Sequence, residues 1–418
     1  MGAMVTVLDI RPDRLVHIDQ VVVEGVPDPP GDEQGRRQVQ AHGRAGDVLV
    51  VIGSESFTTP QLIQSVDPSS GREIGAVCVA TEELCDRAID VAQRAQPAWA
   101  ATSPTERADY LLRAASVMAK RRHELAAWMV FEVGKNWREA DADVCEAIDF
   151  CNYYALEMKK LARPQRLGQV AGELNLLFYK PRGVAAVIAP WNFPLAILTG
   201  MVMASAVTGN TVIMKPAEQS SIIASKLMEI VREARFPAGV INFLPGLGEV
   251  IGKRLVDHPA VDLIAFTGSM DVGLQILRAA GTTRPGQDTV KKVVCEMGGK
   301  NAIIVDGDAD LDEAVKGVLG SAFGFQGQKC SACSRVIVLE SCYDDFRDRL
   351  VEATRSLVIG SAADVANSIG PVVDAEAKQK IESYIELGKQ EGRLLIQREV
   401  PSQGSFVGPT IFEDVPPD

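Results

Sequence analysis

From residue 183 onward, short apolar runs alternate with helical patterns: GVAAVIAP, LAILTGMVMASAV, NTVIMKP, a helix to about Arg235, GVINFLP, a short helix, DLIAFTG, another helix, then KKVVCE and NAIIVD. Apolar runs without polar alternation are strands buried on both faces, and parallel strands need crossover connections to bring the chain back to the same end. The alternation therefore predicts a doubly wound α/β region, a parallel sheet with helices on both faces. Ligands of such sheets bind beyond the carboxyl ends of the strands, so the chemistry is sought in the loops after them.

Ahead of this region, VLVVIG and EIGAVCVA read as strands around the turn Asp67-Pro68-Ser69-Ser70-Gly71. Ser103-Pro104-Thr105-Glu106 is a capping box with proline at the first helical position, and a second helical stretch, about 139–160, carries acids on one side. Residues 1–46 mix Gly, Pro, Arg and Asp without a period and read as a poorly structured leader. They contain no positively charged start followed by an apolar run, which points to the cytoplasm. Met1-Gly2 with Thr6 matches only a loose acylation pattern. No charge occurs between Arg182 and Lys215, but Pro190, Asn192 and Pro194 break that stretch into pieces too short to span a bilayer. The net charge of −12 disfavours a nucleic-acid partner, and eight scattered cysteines in 418 residues are no disulfide framework.

Three strand-end loops stand out: Pro190-Trp191-Asn192-Phe193-Pro194, Lys215-Pro216-Ala217-Glu218, and Thr267-Gly268-Ser269-Met270-Asp271-Val272-Gly273. The last is a glycine turn opening a helix, able to hold a pyrophosphate on backbone amides at the positive end of the dipole, although its glycines are not spaced as G-x-G-x-x-G. Gly246-Leu247-Gly248 with Gly252 misses that spacing by one residue and reads as a turn and helix start. An acid at Glu218 can accept from ribose hydroxyls and repels a 2′-phosphate, favouring NAD over NADP; a solvated Lys215–Glu218 pair is the competing reading.

In Phe323-Gly324-Phe325-Gln326-Gly327-Gln328-Lys329-Cys330-Ser331-Ala332-Cys333, glycines let backbone and ligand approach closely, and the charge of Lys329 favours a thiolate. Cys330-x-x-Cys333 also fits half a metal site or a redox pair, but no second such pair or histidine pair accompanies it, so a thiol nucleophile is the better reading and no metal is expected. The histidines, His17, His42, His123 and His258, lie outside strand-end loops, which disfavours a Cys-His hydrolase. Glu296 ends an apolar strand before Gly298-Gly299, where burial would raise its pKa towards general-base duty.

PWNFP, KPAE, FTGSMDVG, EMGGK and GQKCSA occur in this order along one chain, and together they resemble the aldehyde dehydrogenase superfamily over about residues 47–418. FEVGKNW, running on through EADADVCEAIDFCNYYA, and FGFQGQKCSACSR resemble its branch that oxidises L-glutamate γ-semialdehyde in proline catabolism. The resemblance implies an NAD-binding domain over 47–295, with an arm-like segment near 160–180, and a second α/β catalytic domain over 296–418. It implies Cys330 as nucleophile, Asn192 and the Cys330 amide as oxyanion hole, and Glu296 as general base. Trp191, Lys215, Glu218, Gly268, Ser269 and Val272 would contact NAD; Glu132, Phe193 and Ser331 would hold the substrate's amino group, aliphatic chain and carboxylate. The family pattern continues past GPTIFEDVPPD, so an incomplete catalytic domain is expected here, and a homo-oligomer when complete. A fragment that only binds nucleotide is the alternative, and a coenzyme A-acylating enzyme is a third reading that Glu296 disfavours.

Overall fold

The computed structural model describes residues 47–416, so the leader expected at 1–46 lies outside the described residues. The first half contains β1 (Val50–Ile52), β2 (Glu55–Phe57), β3 (Leu62–Val66), β4 (Glu73–Cys78), α1 (Glu82–Ala101), α2 (Pro104–Lys120), α3 (Arg122–Val133) and α4 (Trp137–Leu161). A hairpin, β5 (Gln165–Arg166) and β6 (Leu176–Leu177), precedes β7 (Val184–Ile188), α5 (Ala196–Val207), β8 (Thr211–Lys215), α6 (Ser221–Glu233) and β9 (Ile241–Phe243). Then come α7 (Lys253–Asp257), β10 (Leu263–Gly268), α8 (Met270–Ala280), β11 (Lys292–Met297), β12 (Asn301–Val305), α9 (Leu311–Phe323), β13 (Cys333–Val338) and α10 (Tyr343–Arg355). The described chain closes with α11 (Ala375–Glu391), β14 (Arg393–Gln397) and β15 (Thr410–Glu413).

One seven-stranded sheet has the order β11-β10-β7-β8-β9-β1-β2. Its first five strands are parallel, while β1 runs antiparallel to β9 and β2. The order reverses beside β7, whose neighbours β8 and β10 lead the chain in opposite directions, and such a switch point opens a crevice at the strands' carboxyl ends. The apolar runs divide by strand period: Ala185, Val187, Val212 and Met214 face one core with α2 to α6, and Val184, Ala186, Ile188 and Ile213 face another with α1 and α8. Full burial of a side chain such as Ile213 stabilises by roughly 1.5–3 kcal/mol, which explains why these strands carry no polar face.

Four helices, not two, occupy 82–161. The capping box forms, with the Ser103 hydroxyl accepting from the Glu106 amide at 3.2 Å. The stretch that escaped the periodicity, α3, is buried from Leu125 to Val130 all round and so has no polar stripe to reveal it. The charge-free stretch after Arg182 is β7, α5 and β8. With twelve residues, α5 is about 18 Å long. Among the described residues no helix is long and apolar enough to cross a membrane.

Residue 295, where the first domain was expected to end, falls inside β11, a strand that belongs whole to the seven-stranded sheet. Past it, β12 and β13 form a parallel pair and β14 and β15 an antiparallel one. The stretch near 160–180 is the β5–β6 hairpin, with Leu174, Leu176, Phe178 and Tyr179 exposed.

Candidate active site

The loops after β7, β8 and β10 gather at the switch point, and the β11–β12 connection and the turn after α9 meet them from the other half. Cys330 lies in that turn and is exposed; every other cysteine of the chain is buried or half-buried. The turn is built on left-handed backbone: Phe325, Gln326 and Gly327 have φ of 48°, 55° and 70°. At Gly327 a β-carbon would also come within 2.8 Å of the Ala322 carbonyl oxygen. Cys333 points inward, its Sγ 3.2 Å from the Arg335 carbonyl and its amide donating to Ser321 Oγ at 3.1 Å, so the two thiols have different surroundings. Among the described residues no group of three or more His, Cys, Asp or Glu side chains is arranged to hold a metal ion.

Asn192 leaves the end of β7 and donates its side-chain amide to the Gln328 carbonyl at 2.9 Å, which ties its loop to the backbone just before Cys330. Glu296 stands opposite Thr267 in the β10–β11 register, beside the Gly268–Ser269 loop. The connection that follows touches the thiol's own residue: Asn301 Nδ2 donates to the Cys330 carbonyl at 2.8 Å and to the Ala332 carbonyl at 3.3 Å. The burial expected of Glu296 is not found: β11 is the sheet's terminal strand, and Glu296 is exposed on it.

At the end of β8, the Lys215 ammonium is buried and bonds Glu218 Oε1 at 3.1 Å and the Pro216 carbonyl at 2.9 Å. Burial draws the lysine's pKa down, against the pull of the Glu218 charge. The same Glu218 oxygen accepts the Gly248 amide at 2.6 Å, so the glycine pair set aside as a plain turn is joined to this acid. Ser269 caps α8: its hydroxyl accepts from the Val272 amide at 3.3 Å. That amide is therefore already bonded, and Val272 presents an exposed side chain in place of a free donor. Gly268 is required by packing, since a β-carbon there would meet the Phe266 ring at 2.6 Å. Trp191 is half-buried and meets the Phe325 ring edge-on at 6.4 Å.

Glu132 does not reach the site. It is buried, and its two oxygens accept the Ile222 and Ile223 amides at 2.7 and 2.8 Å, at the amino end of α6. Its role is to cap a helix that lacks a capping side chain of its own. Burial, outweighing those two amide bonds, raises its pKa from 4.5 to about 8. The folded carboxyl thus keeps its proton where the unfolded one has lost it, and stability held below about pH 4.5 drains away as pH rises towards about 8. Glu132→Gln, which cannot ionise, should remove this slope: thermal or denaturant unfolding should show wild type losing roughly a few kcal/mol relative to the variant across that window. A constant gap between the two would refute this account.

The acid that does touch Cys330's loop comes from α4. Glu139 accepts from Lys329 Nζ at 2.8 Å, so the lysine charge beside the thiol is paired. Glu139, Asp143, Glu146 and Phe150 recur at helical spacing, and burial followed by the nearby Asp143 charge raises the pKa of Glu146. The spacing was visible as acids on one side of this helix. Ser331 is exposed beside Cys330, and Phe193, in the Asn192 loop, is half-buried against the core.

A crevice at the switch point of a parallel sheet, with the exposed Cys330 turn tied to the Asn192 loop beside it, leads to one class of protein: the chain belongs to the aldehyde dehydrogenase family, which it matches over residues 55–418. It is 49% identical over 374 residues to the 1-pyrroline-5-carboxylate dehydrogenase of Geobacillus kaustophilus, covering 89% of this chain and 73% of that protein. The 1-pyrroline-5-carboxylate dehydrogenase from Thermus with bound NAD superposes with a TM-score of 0.91 at 42% identity, covering 99% of this chain and 79% of that one. Proline utilization A from Bdellovibrio bacteriovorus gives 0.90 at 49% identity, over 92% of this chain and 40% of that much longer one.

Proposed function

We propose that this chain carries the machinery for NAD-dependent oxidation of L-glutamate γ-semialdehyde to glutamate, the activity at the end of proline catabolism. The observation that carries the reading is the single exposed thiol, Cys330, held beside Asn192 in a chain 49% identical to a 1-pyrroline-5-carboxylate dehydrogenase. The donor set at the switch point suits a dinucleotide: an indole at Trp191, the buried Lys215 ammonium, the Glu218 carboxylate and the Ser269 hydroxyl at a helix start. The chemistry that NAD supplies when bound is acceptance of a hydride.

The remaining work falls to the chain. The Cys330 thiolate adds to the aldehyde carbon, and the Asn192 side-chain amide, with the Cys330 backbone amide, donates to the oxygen as it gains charge. Each such donor contributes roughly 3 kcal/mol in acyl-transfer sites. Once the adduct has been oxidised to a thioester, Glu296 takes a proton from water, hydroxide adds to the acyl carbon, and Cys330 departs as thiolate. The exposure of Glu296 keeps it in reach of that water. For the substrate, Glu139 and Glu146 replace Glu132 as the acids offered to the α-amino group, with Ser331 towards the carboxylate and Phe193 against the aliphatic chain.

The test is NADH formation with glutamate semialdehyde, run beside titration of cofactor binding by tryptophan fluorescence. Binding without turnover would reduce the reading to nucleotide binding alone. Glu218 makes a separate prediction: a 2′-phosphate beside its carboxylate meets repulsion, so Glu218→Gln should narrow the preference for NAD over NADP by about tenfold in Kd. Tighter binding of NADP by the unaltered chain would reject the assignment.

A further inference from the structure

The segment between α3 and α4 plays no part in the reaction described above, yet it buries a charge. Gly134, with φ of 69°, ends α3, and a β-carbon there would strike the Pro371 ring at 2.7 Å. The Asn136 side chain starts α4 by accepting from the Glu139 amide at 2.9 Å. Between them Lys135 is driven inward, fully buried, and bonds Asp143 Oδ2 at 2.5 Å; Asp143 is equally dry.

Between them, the members of this pair reach the two loops of the site. The other Asp143 oxygen accepts the Ala196 amide at 2.7 Å, at the first residue of α5. Leu195, at the capping position of α5, supplies no side-chain bond, so Asp143 caps the helix onto which the Asn192 loop is spliced. The Lys135 ammonium lies 4.1 Å from the centre of the Phe193 ring and 4.9 Å from that of Phe325. One ring belongs to the Asn192 loop and the other to the turn before Cys330. That turn holds Phe325 and Gln326 in left-handed backbone, and Gln326 Oε1 is buried with no hydrogen-bond partner among the described residues. Such strain persists only where the surroundings over-determine it. A buried ion pair is in itself a poor source of stability, since apolar replacements are often as good. What apolar side chains cannot do is cap α5 and attract two ring faces from one point.

We infer that the Lys135–Asp143 pair is a positioning device that fixes the Asn192 loop and the Cys330 turn relative to each other. This rests on the proposed roles of Asn192 and Cys330, but its test does not need turnover. In the whole chain, Lys135→Met and the apolar pair Lys135→Met with Asp143→Leu are compared with wild type by peptide-resolved hydrogen exchange, by the rate of Cys330 alkylation with iodoacetamide, and by melting temperature. The expected result is exchange about tenfold faster in the peptides carrying Phe325 to Cys330 and Asn192 to Ala196, with β7 and β8 unchanged. Cys330 alkylation should shift by about fivefold or more while that of Cys295 does not. Phe325→Leu removes one ring and neither charge, so it decides the matter should the charge variants fail to fold; it too should loosen the Cys330 turn. Loop exchange and Cys330 reactivity within about twofold of wild type in a folded variant, whatever its melting temperature, would overturn the inference. A wild-type chain that oxidises no aldehyde, with variants that loosen as expected, would sink the proposed activity and leave the positioning pair standing.

Discussion

Cys330→Ser is expected to lower aldehyde-dependent NADH formation by roughly a thousandfold or more in any form of this protein that turns over, because removal of a covalent nucleophile removes the route and not merely a contact. Serine has the same reach, but its hydroxyl is not ionised near neutral pH. Cys333→Ser should cost far less, within about tenfold, since Cys333 is buried and its Sγ is turned to the Arg335 carbonyl. The structure sharpens the contrast that spacing alone left open: two cysteines separated by two residues have opposite exposures because β13 begins at the second. Initial rates of NADH formation for the two variants decide it. Substantial activity in Cys330→Ser together with loss in Cys333→Ser would reverse the assignment.

Glu296→Gln should separate oxidation from hydrolysis. If the carboxylate serves only to deprotonate water, the glutamine variant still forms the adduct and loses hydride from it, then stalls as a thioester on Cys330, with steady turnover reduced by roughly 10²–10⁴. Rapid mixing should give a burst of one NADH per site, and mass spectrometry should find the acyl group on the peptide that contains Cys330. The position of Glu296, exposed at the end of an edge strand, makes loss of folding a poor alternative explanation. Uniform slowing with no burst and no trapped acyl group would remove Glu296 from this role. Capture of the acyl group by coenzyme A in wild type would instead favour the acylating reading.

The parallel sheet, its loops and the cap at Ser103 were legible because each depends on neighbours in sequence. A strand buried on both faces must be apolar throughout, a crossover must follow it, and a capping serine bonds an amide three residues on. The family resemblance, carried by five short motifs in order, reached further and named Cys330, Asn192 and Glu296. It went astray at Glu132. That acid and Glu139 are close in sequence, but the turn at Gly134 puts them on separate helices, one aimed at the start of α6 and the other at Lys329.

Partners across long stretches of chain were decided only by the tertiary structure. Gly248 looked like a plain turn until the sheet brought its amide to Glu218, and the burial expected of Glu296 vanished when β11 proved to be the sheet's last strand. Lys135 is the clearest case, since a lysine in sequence is read as a solvated charge. Only the meeting of α3, α4, α5 and the Cys330 turn makes it a dry cation between two rings. Local sequence sets which backbone state each segment prefers, through sterics and hydrogen bonds within a few residues. Burial and charge pairing are properties of the space that several distant segments enclose, and that space exists only once they have packed.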